Sequence, residues 1–363
     1  MKTIALRGGH YEMGRQHAHQ LQDLRPRIMR AMRQRLKSLE KYEVDLQPCA
    51  VELISVWSEI ARPTLDMLRG IADGLELRWE RFFCYTIASY LEDHIQHPAY
   101  GEGCTVWAAS GPVTHHNAPI LAKNRDYRSE HRFLPCLAHA QPPQGYRYLY
   151  VTSAGSPAVF SSGMNEMGLA VADTRVDSYA VGPGLARYSA MMEILERHSD
   201  VASALDYLRQ VPHIGDGTLT LIDQTGNMAV FEASHTAHSI LYPEDDFVVS
   251  TNQFRGLQLR DCWVDRNPPE LRGNSQNRYT TIFTALQADR GQVDCDWAQA
   301  MMAYHGGRRP SVAERKQAAI CRHPRVDPLW TTVSTSLYLP QERTLLFANG
   351  RPCQVAFQTW SVI

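Results

Sequence analysis

The dipeptide Gly103-Cys104 has the residue types for covalent chemistry, and it lies where a helix-rich segment gives way to a strand-rich one. Because glycine has no Cβ, the Gly103 carbonyl can be held in a strained conformation at little steric cost. Attack of the Cys104 thiolate on that carbonyl would move the acyl group from nitrogen to sulfur, and water would then cut the chain. The new α-amine of Cys104 would titrate near ~7.7–8.0, so it could serve as the general base for its own thiol. The sequence therefore predicts autocleavage here, and the alternative is a small apolar residue that begins a core strand.

Two polar side chains could assist this thiol. Asp126, in the run Asn124-Arg125-Asp126-Tyr127, closes the strand expected to pair with the Cys104 strand. A hairpin would bring its carboxylate toward the α-amine of Cys104, although an Asp that accepts from loop amides is an equal alternative. Asn252, in Ser250-Thr251-Asn252-Gln253-Phe254, ends another strand with an amide that could donate to an oxyanion.

Four further residues are candidates for binding the substrate or supporting the site. Arg278 and Arg322 could each bind a carboxylate or brace the nucleophile, and a surface ion pair is the alternative for either one. Asn165 lies in the turn Gly163-Met164-Asn165-Glu166-Met167-Gly168-Leu169, where simple turn chemistry is the alternative. Asn124 lies on the same strand as Asp126.

Composition excludes several classes of function. The chain has 363 residues, of which 44% are hydrophobic and 21% charged, and its formal net charge is −1. This balance gives no support for nucleic acid or an anionic membrane as the main partner. No apolar run reaches the ~18 residues of a spanning helix, and the N-terminus lacks the apolar core of a secretory signal, so a cytoplasmic location is expected.

Cysteines and histidines do not follow a known metal-binding spacing. The eight cysteines are scattered singly, which predicts reduced thiols and no disulfide framework. The nearest metal-ligand pairs are His94/His97 and Cys321/His323, and neither reproduces a zinc or metalloprotease signature. We therefore expect no metal site. Glycine-rich nucleotide-binding motifs and a Gly-x-Ser-x-Gly elbow are also absent from the sequence.

The elements that must position these residues change at 103/104. Apolar residues at three- and four-residue steps predict one long amphipathic helix from Tyr11 to about Tyr42, followed by three shorter helices before residue 98. After Cys104, short strands with turn signals predict hairpins over 104–124 and 218–232. The pattern predicts an α+β protein with antiparallel sheets covered by helices.

Taken together, these motifs resemble the acyl-coenzyme A:6-aminopenicillanic acid acyltransferase (isopenicillin N acyltransferase) family of self-processing N-terminal-nucleophile hydrolases. The resemblance runs over nearly the whole chain. It is carried by six motifs in this order: Arg7-Gly8-Gly9-His10-Tyr11-Glu12-Met13-Gly14-Arg15-Gln16-His17, Gly103-Cys104-Thr105, Asn124-x-Asp126, Asn165-Glu166-x-Gly168-Leu169, Thr251-Asn252-x-Phe254 and, closing the C-terminal strand pair, Asn349-Gly350-Arg351-Pro352. The chain departs from the family at Gln253, where relatives often have histidine.

The resemblance implies a four-layer αββα sandwich and a precursor cut into residues 1–103, a mostly helical α portion, and 104–363, the catalytic β portion. These portions would form one globular unit. Cys104 carries over as the nucleophile, Asp126 as its partner carboxylate and Asn252 as the oxyanion amide. The implied activity is a cysteine amidase or acyltransferase that acts through a Cys104 thioester on a small-molecule amide or acyl substrate. The resemblance implies no cofactor, although acyl-CoA is a conceivable donor substrate.

Two other hypotheses remain open at the level of sequence. One is a cysteine hydrolase that never cleaves itself, with His115 or His116 activating Cys104. The other is a catalytically inactive binding protein with the same fold. The sequence does not distinguish hydrolysis from transfer, because pocket shape decides that choice.

Overall fold

The computed structural model describes residues 2–41, 47–96, 103–156, 159–267, 269–307, 318–323 and 330–362. Within these ranges the helices are α1 (His10–Gln20), α2 (Arg25–Glu40), α3 (Gln47–Ile60), α4 (Arg62–Gly74), α5 (Trp79–Thr86), α6 (Ala88–His94), α7 (Arg187–Arg197), α8 (Val201–Gln210), α9 (Asn274–Ala288) and α10 (Cys295–Met302). The strands are β1 (Lys2–Arg7), β2 (Thr105–Ala109), β3 (Ile120–Arg128), β4 (Pro135–Gln141), β5 (Tyr148–Ser153), β6 (Ser162–Asn165), β7 (Ala170–Arg175), β8 (Gly217–Ile222), β9 (Met228–Ala233), β10 (His238–Leu241), β11 (Phe247–Ser250), β12 (Trp330–Leu339), β13 (Thr344–Ala348) and β14 (Gln358–Ser361).

The strands form two sheets. The larger sheet has the order β1-β4-β5-β6-β7-β8-β9-β10, and the smaller has the order β11-β2-β3-β12-β13-β14. Strands β1 and β4 are parallel, and the other pairs are antiparallel. Because most connections between antiparallel strands can be short hairpins, the predicted pairing of β2 with β3 and of β8 with β9 follows from local turn signals.

Alternation along the strands produces four layers. On β2, Val106 and Ala108 face a core between the two sheets, whereas Trp107 and Ala109 face α9 and α10. The outer face of the larger sheet packs against the helices α1 to α8 through the largest apolar cluster. Side chains two residues apart share a face, so each central strand contributes to two cores. The layers are therefore helix, sheet, sheet, helix, which confirms the predicted αββα sandwich.

One long helix over Tyr11–Tyr42 is a wrong prediction. The structure ends α1 at Gln20, inserts a short 3-10 turn over Gln22–Leu24 and begins α2 at Arg25. Pro26 lies in the first turn of α2, where its missing N–H costs nothing, but it cannot continue a helix from the preceding turn. Tyr42 lies outside the described residues.

Helices α1 and α4 approach closely through glycine. A Cβ on Gly70 would lie 2.0 Å from the carbonyl oxygen of Tyr11, and one on Gly14 would lie 2.1 Å from that of Met67. No side chain fits such distances, so both positions require glycine. A tight contact of this kind fixes how the N-terminal helices lie against the larger sheet.

The residues before and after position 103 are joined by a buried ion network. The carboxylate of Glu92 on α6 binds Arg35 of α2, Arg175 of β7 at 2.9 Å and Arg128 of β3 at 3.6 Å. Next to it, Asp93 binds Arg266 at 2.6 Å. Strand β1 also belongs to the larger sheet, through its pairing with β4. The division of the chain at 103/104 remains a prediction, but the two portions share one sheet and one core.

Among the helices in the described ranges, none combines the length and the apolar composition needed to cross a bilayer.

Candidate active site

The β2–β3 hairpin brings Cys104 and Asp126 together. Thr105 lies opposite Asn124, so Cys104, one residue earlier, lies next to the end of β3. The Cys104 thiol is 3.8 Å from the backbone oxygen of Asp126 and can donate to it. Cys104 is buried, with 4% of its surface exposed. The hairpin thus places Asp126 next to Cys104, as the sequence predicted. The contact is with the backbone oxygen of Asp126, so the role of its carboxylate toward the α-amine stays a prediction.

Arg278 on α9 binds the backbone of Cys104. Its Nη1 donates to the carbonyl oxygen of Cys104 and, at 2.9 Å, to Oγ1 of Thr105. Burial is the main reason that the pKa of Arg278 is lowered to about 10; the charge of Arg322 adds to this, while Asp126 and Cys104 oppose it. At neutral pH Arg278 therefore remains a cation. It is linked to Cys104 through the backbone carbonyl and not through the thiol.

Asn252 is oriented by the same arginine. Arg278 Nη2 donates to Oδ1 of Asn252 at 2.7 Å, and Nδ2 of Asn252 donates to the carbonyl oxygen of Arg175 at 2.8 Å. An amide nitrogen carries two N–H donors, so one remains beyond the bond to Arg175. The amide is half-exposed and its orientation is fixed from both ends.

Gly103 is enclosed by two charged side chains. A Cβ on Gly103 would lie 2.5 Å from Nη1 of Arg322 and 2.8 Å from Oδ2 of Asp126. The other carboxylate oxygen of Asp126 accepts from Oγ1 of Thr332 at 2.6 Å. The structure thus gives a steric reason for glycine at this position, namely the close approach of Asp126 and Arg322.

The two competing arginines therefore both lie at the site, on different sides of the dipeptide. Arg278 holds the Cys104 carbonyl, and Arg322 lies against Gly103. Both side chains are buried, so neither is a surface ion pair. With Asp126 as the carboxylate between them, the fixed charges around Gly103-Cys104 sum to a net positive value, which favours a developing anion.

The two other predicted asparagines have structural roles. Asn124 donates to the carbonyl oxygens of Met302 at 2.8 Å and Ile320 at 3.0 Å, and it accepts from Thr335. It ties the end of α10 to β3. Asn165 donates to the carbonyls of Leu195 and His198 and accepts from the amides of its own turn, so the structure does not bring it to Cys104.

His115 and His116 lie at the wrong end of the hairpin to activate Cys104. They lie in the turn after β2, whereas Cys104 immediately precedes β2. Five residues of strand at ~3.3–3.4 Å each separate the two ends by roughly 17 Å. Both histidines are exposed, and no histidine is found among the described residues that line the cavity at Cys104. The choice of these two histidines as activating bases is wrong.

Cys104 opens onto a narrow cavity of about 50 Å³. Its walls come from both portions of the chain: α5, α6 and the loop between them on one side, and β3, β7 and α7 on the other. Five aromatic rings line it, those of Tyr85, Tyr90, Tyr127, Phe160 and Tyr188. The cavity thus combines apolar walls with several charged side chains near the thiol.

Arg125 is a cavity residue that no motif in the sequence indicated. It is 3% exposed, and its Nη1 donates to Oγ of Ser153 at 2.9 Å. Its Nη2 is buried and has no hydrogen-bond partner among the residues that the structure describes. The guanidinium lies 4.9 Å from the ring centre of Phe160. The only signal in the sequence was its position beside Asp126. Because successive side chains on β3 point to opposite faces, this position did not show that Arg125 lines the cavity.

The αββα sandwich, with a Gly-Cys pair leading into a central strand, defines a fold of the N-terminal-nucleophile hydrolase class. Residues 113–287 match the model of the family described as acyl-coenzyme A:6-aminopenicillanic acid acyl-transferase. This match confirms the family resemblance predicted from the motifs. The matched segment contains Asp126, Asn252 and Arg278, and it excludes Gly103, Cys104 and Arg322.

Several solved structures are similar to the chain at low identity. A variant of conjugated bile acid hydrolase from Clostridium perfringens is 13% identical, with a TM-score of 0.47 over 71% of this chain and 97% of that one. An N-acylethanolamine-hydrolyzing acid amidase orthologue from Caenorhabditis elegans is 15% identical, with a TM-score of 0.46 over 71% and 99%. Penicillin V acylase from Agrobacterium tumefaciens is 16% identical, with a TM-score of 0.40 over 68% and 83%. No curated protein matches the chain.

Proposed function

We propose that this protein is a self-processing cysteine amidase or acyltransferase whose nucleophile is Cys104. The observation that carries the proposal is the enclosure of Gly103-Cys104 by Arg278, Asp126 and Arg322, with the thiol facing a cavity. A buried charge costs free energy of folding unless it is paired or hydrogen-bonded. Three such charges converge on this dipeptide, within a fold whose class uses such a residue as its nucleophile.

Processing would begin when the Cys104 sulfur attacks the Gly103 carbonyl carbon. The new C–S bond replaces the C–N bond, the thiol proton passes to the departing nitrogen, and Cys104 gains a free α-amine. Water then attacks the thioester, which leaves a carboxylate on Gly103 and restores the thiol. Arg322 and Asp126, which lie against Gly103, are the groups placed to hold the attacked peptide during this step.

Catalysis would repeat the same chemistry on an external amide. The α-amine of Cys104 takes the thiol proton and returns it to the leaving amine of the substrate. Asp126 holds the α-amine in place. Asn252, oriented by Arg278, donates its remaining N–H to the oxyanion. The thioester is then resolved by water in an amidase or by a second amine in a transferase.

The cavity favours a small acyl group with a short apolar body and an oxygen-bearing polar group, because its volume is only about 50 Å³. Its aromatic rings supply the apolar contact, and Arg125 lies in its wall with a buried Nη2 that has no hydrogen-bond partner among the described residues. A substrate oxygen would satisfy this donor, because an unsatisfied buried donor costs ~1–3 kcal/mol. Matched short-chain acyl amides with and without a carboxylate would reveal the preference.

The decisive experiment is intact-mass analysis and N-terminal sequencing of active protein, alongside Cys104→Ala. The proposal expects two fragments, one beginning Cys104-Thr105-Val106, and a single uncut chain without activity for the variant. An active protein that keeps only its original N-terminus would contradict it and would favour a cysteine hydrolase that does not self-cleave. A Cys104 that fails to react with acylating thiol probes would favour the inactive binding protein.

A further inference from the structure

Four side chains converge beside the candidate active site: His305, Cys321, His323 and Cys353. We call them the Cys-His cluster. Their ligand atoms all lie within 4.8 Å of one another. Three separate segments supply them: the residues after α10, the approach to β12, and the connection between β13 and β14. The spacing of the four residues in the sequence matches no metal motif, so the site could not be predicted from the sequence.

Four of the six separations within the cluster are close to those of a tetrahedral zinc site, and the other two are at most 4.8 Å. Zn–S bonds of ~2.3 Å and Zn–N bonds of ~2.0–2.1 Å give tetrahedron edges of roughly 3.8 Å between sulfurs, 3.5 Å between sulfur and nitrogen and 3.3 Å between nitrogens. The two sulfurs are 3.6 Å apart. Nε2 of His323 lies 3.2 Å from Sγ of Cys353, 3.7 Å from Sγ of Cys321 and 3.0 Å from Nε2 of His305.

The kind and number of ligands indicate which metal would bind. Two thiols and two imidazoles form a soft set that suits zinc and does not suit magnesium or calcium, which prefer oxygen. Four protein ligands complete a tetrahedral shell, which is typical of structural and not of catalytic zinc. The sulfurs are too far apart for a disulfide, whose bond is ~2.05 Å long, and both cysteines are free thiols.

We propose that the Cys-His cluster binds one structural zinc ion, and that this ion fixes Arg322 against Gly103. Arg322 lies between two of the ligands, Cys321 and His323. Its own backbone is tied to β12, because its N–H donates to Oγ1 of Thr332 at 2.9 Å and its carbonyl accepts from the Thr332 amide at 3.2 Å. Oγ1 of the same Thr332 donates to Asp126. Zinc on one side and β12 on the other would hold the arginine at the dipeptide.

The test measures bound metal directly. Purified full-length protein, dialysed without chelator, is analysed by elemental mass spectrometry, and we expect about one zinc per chain, as for a closed four-ligand site. Exchange with Co²⁺ should give the visible bands of a tetrahedral site together with thiolate-to-cobalt charge transfer. Cys353→Ser, at the most exposed ligand, should weaken zinc binding by more than the ~10–100-fold typical of outer-shell changes. Cys262→Ser, a partly buried cysteine outside the cluster, is the matched control and should keep its zinc.

Two results would overturn the proposal. One is reduced, folded protein that takes up neither Zn²⁺ nor Co²⁺. The other is an intact mass lower by two hydrogens that maps to a Cys321–Cys353 disulfide, with no metal binding after reduction. The effect on Arg322 has its own readout: Cys353→Ser should slow cleavage at Gly103-Cys104, whereas Cys262→Ser should not. Zinc bound to a chain that never cleaves would refute the proposed function and leave the metal site standing.

Discussion

Nη2 of Arg278 lies 2.7 Å from Oδ1 of Asn252, while Nη1 of the same guanidinium holds the carbonyl oxygen of Cys104. One buried cation thereby fixes both the backbone of the proposed nucleophile and the amide proposed to bind the oxyanion. Its Nε donates to Oδ1 of Asn274 at 2.8 Å, one turn earlier on α9. The planar fork of arginine suits this arrangement, and the single ammonium of lysine does not.

Arg278→Lys should therefore keep the positive charge but lose the two simultaneous hydrogen bonds to the Cys104 carbonyl and to Asn252. We expect kcat to fall by about 10²–10³, the range for loss of an oxyanion donor, with a smaller change in KM. The variant is compared with Asn252→Ala and with the double variant in a steady-state assay. Because the two residues act as one unit, their effects should not add. Losses of the two single variants that add up in the double variant would contradict the coupling. Arg290→Lys, at an exposed ion pair, is the control.

Gly103→Ala should impair processing without unfolding the protein. The added methyl would lie within 3 Å of Arg322 and Asp126, so one of these groups must move. A displacement of ~1 Å in such a site can cost ~10²-fold in rate, and we expect cleavage to slow by at least ~10-fold. Time-resolved gels of freshly made chain measure it. Gly9→Ala is the matched control, since a Cβ there meets nothing within 4 Å. Wild-type cleavage in Gly103→Ala would show that the close approach has no role.

Glu92 should stabilise the protein at neutral pH and lose that effect in acid. Burial raises the pKa of Glu92, but the charges of Arg35, Arg175 and Arg128 outweigh it and lower the pKa to about 2. A lowered pKa means that the stabilisation is present above the unfolded value of ~4.3 and is lost as the pH falls toward about 2. Glu92→Gln should lower the free energy of unfolding by ~3–5 kcal/mol at pH 7, because it leaves buried arginines without a charge partner.

Urea unfolding in the Cys104→Ala background, which we expect to stay uncut, measures this cost without the complication of separate fragments. The cost of Glu92→Gln should shrink between pH 4 and the low end of the folded range. Glu76→Gln is the control, because that side chain is 80% exposed and its contact with Arg25 is long, at 3.9 Å. A cost independent of pH would mean that the network stabilises by packing and not by charge.

His115→Gln and His116→Asn should leave processing and turnover unchanged within about 2-fold, since these exposed side chains lie a strand length from the thiol. Asparagine is chosen at position 116 because the backbone there has φ of 60°, which asparagine tolerates. The pH profile of kcat/KM is the measurement. Loss of activity in either variant would revive a histidine-activated thiol and would contradict the α-amine as base.

Arg125→Met should change substrate preference more than turnover of the best apolar substrate. The variant keeps an unbranched side chain, shorter than that of arginine, and removes the guanidinium with its buried donor at Nη2. We expect the ratio of kcat/KM for a carboxylate-bearing amide to that for its neutral analogue to fall by ~10-fold or more, as for loss of a hydrogen bond to a charged group. Equal losses on both substrates would show that Arg125 is structural.

Local signals in the sequence determined several parts of the protein. The hairpin that sets Asp126 beside Cys104 depends on short-range alternation and a turn, so it could be predicted from adjacent residues. The family motifs extended that prediction to the αββα layers. Strands β4 and β10 were not predicted, and one long helix was expected where Pro26 separates α1 from α2.

Only the tertiary structure decided where the distant residues meet. It placed Arg278 at the Cys104 carbonyl and Arg322 at Gly103, although no local pattern distinguishes these two arginines. Asn165, the last residue of β6, binds the carbonyl of Leu195, and the turn that follows it was predictable from the sequence. The tertiary structure also gathered the Cys-His cluster from three segments. Periodicity and turn chemistry act over a few residues, whereas these contacts join positions that only the packing of sheet on sheet and helix on sheet brings into range. The residue types in the sequence determined which reactive groups are present. The packing of the four αββα layers determined which of those groups meet at Gly103-Cys104.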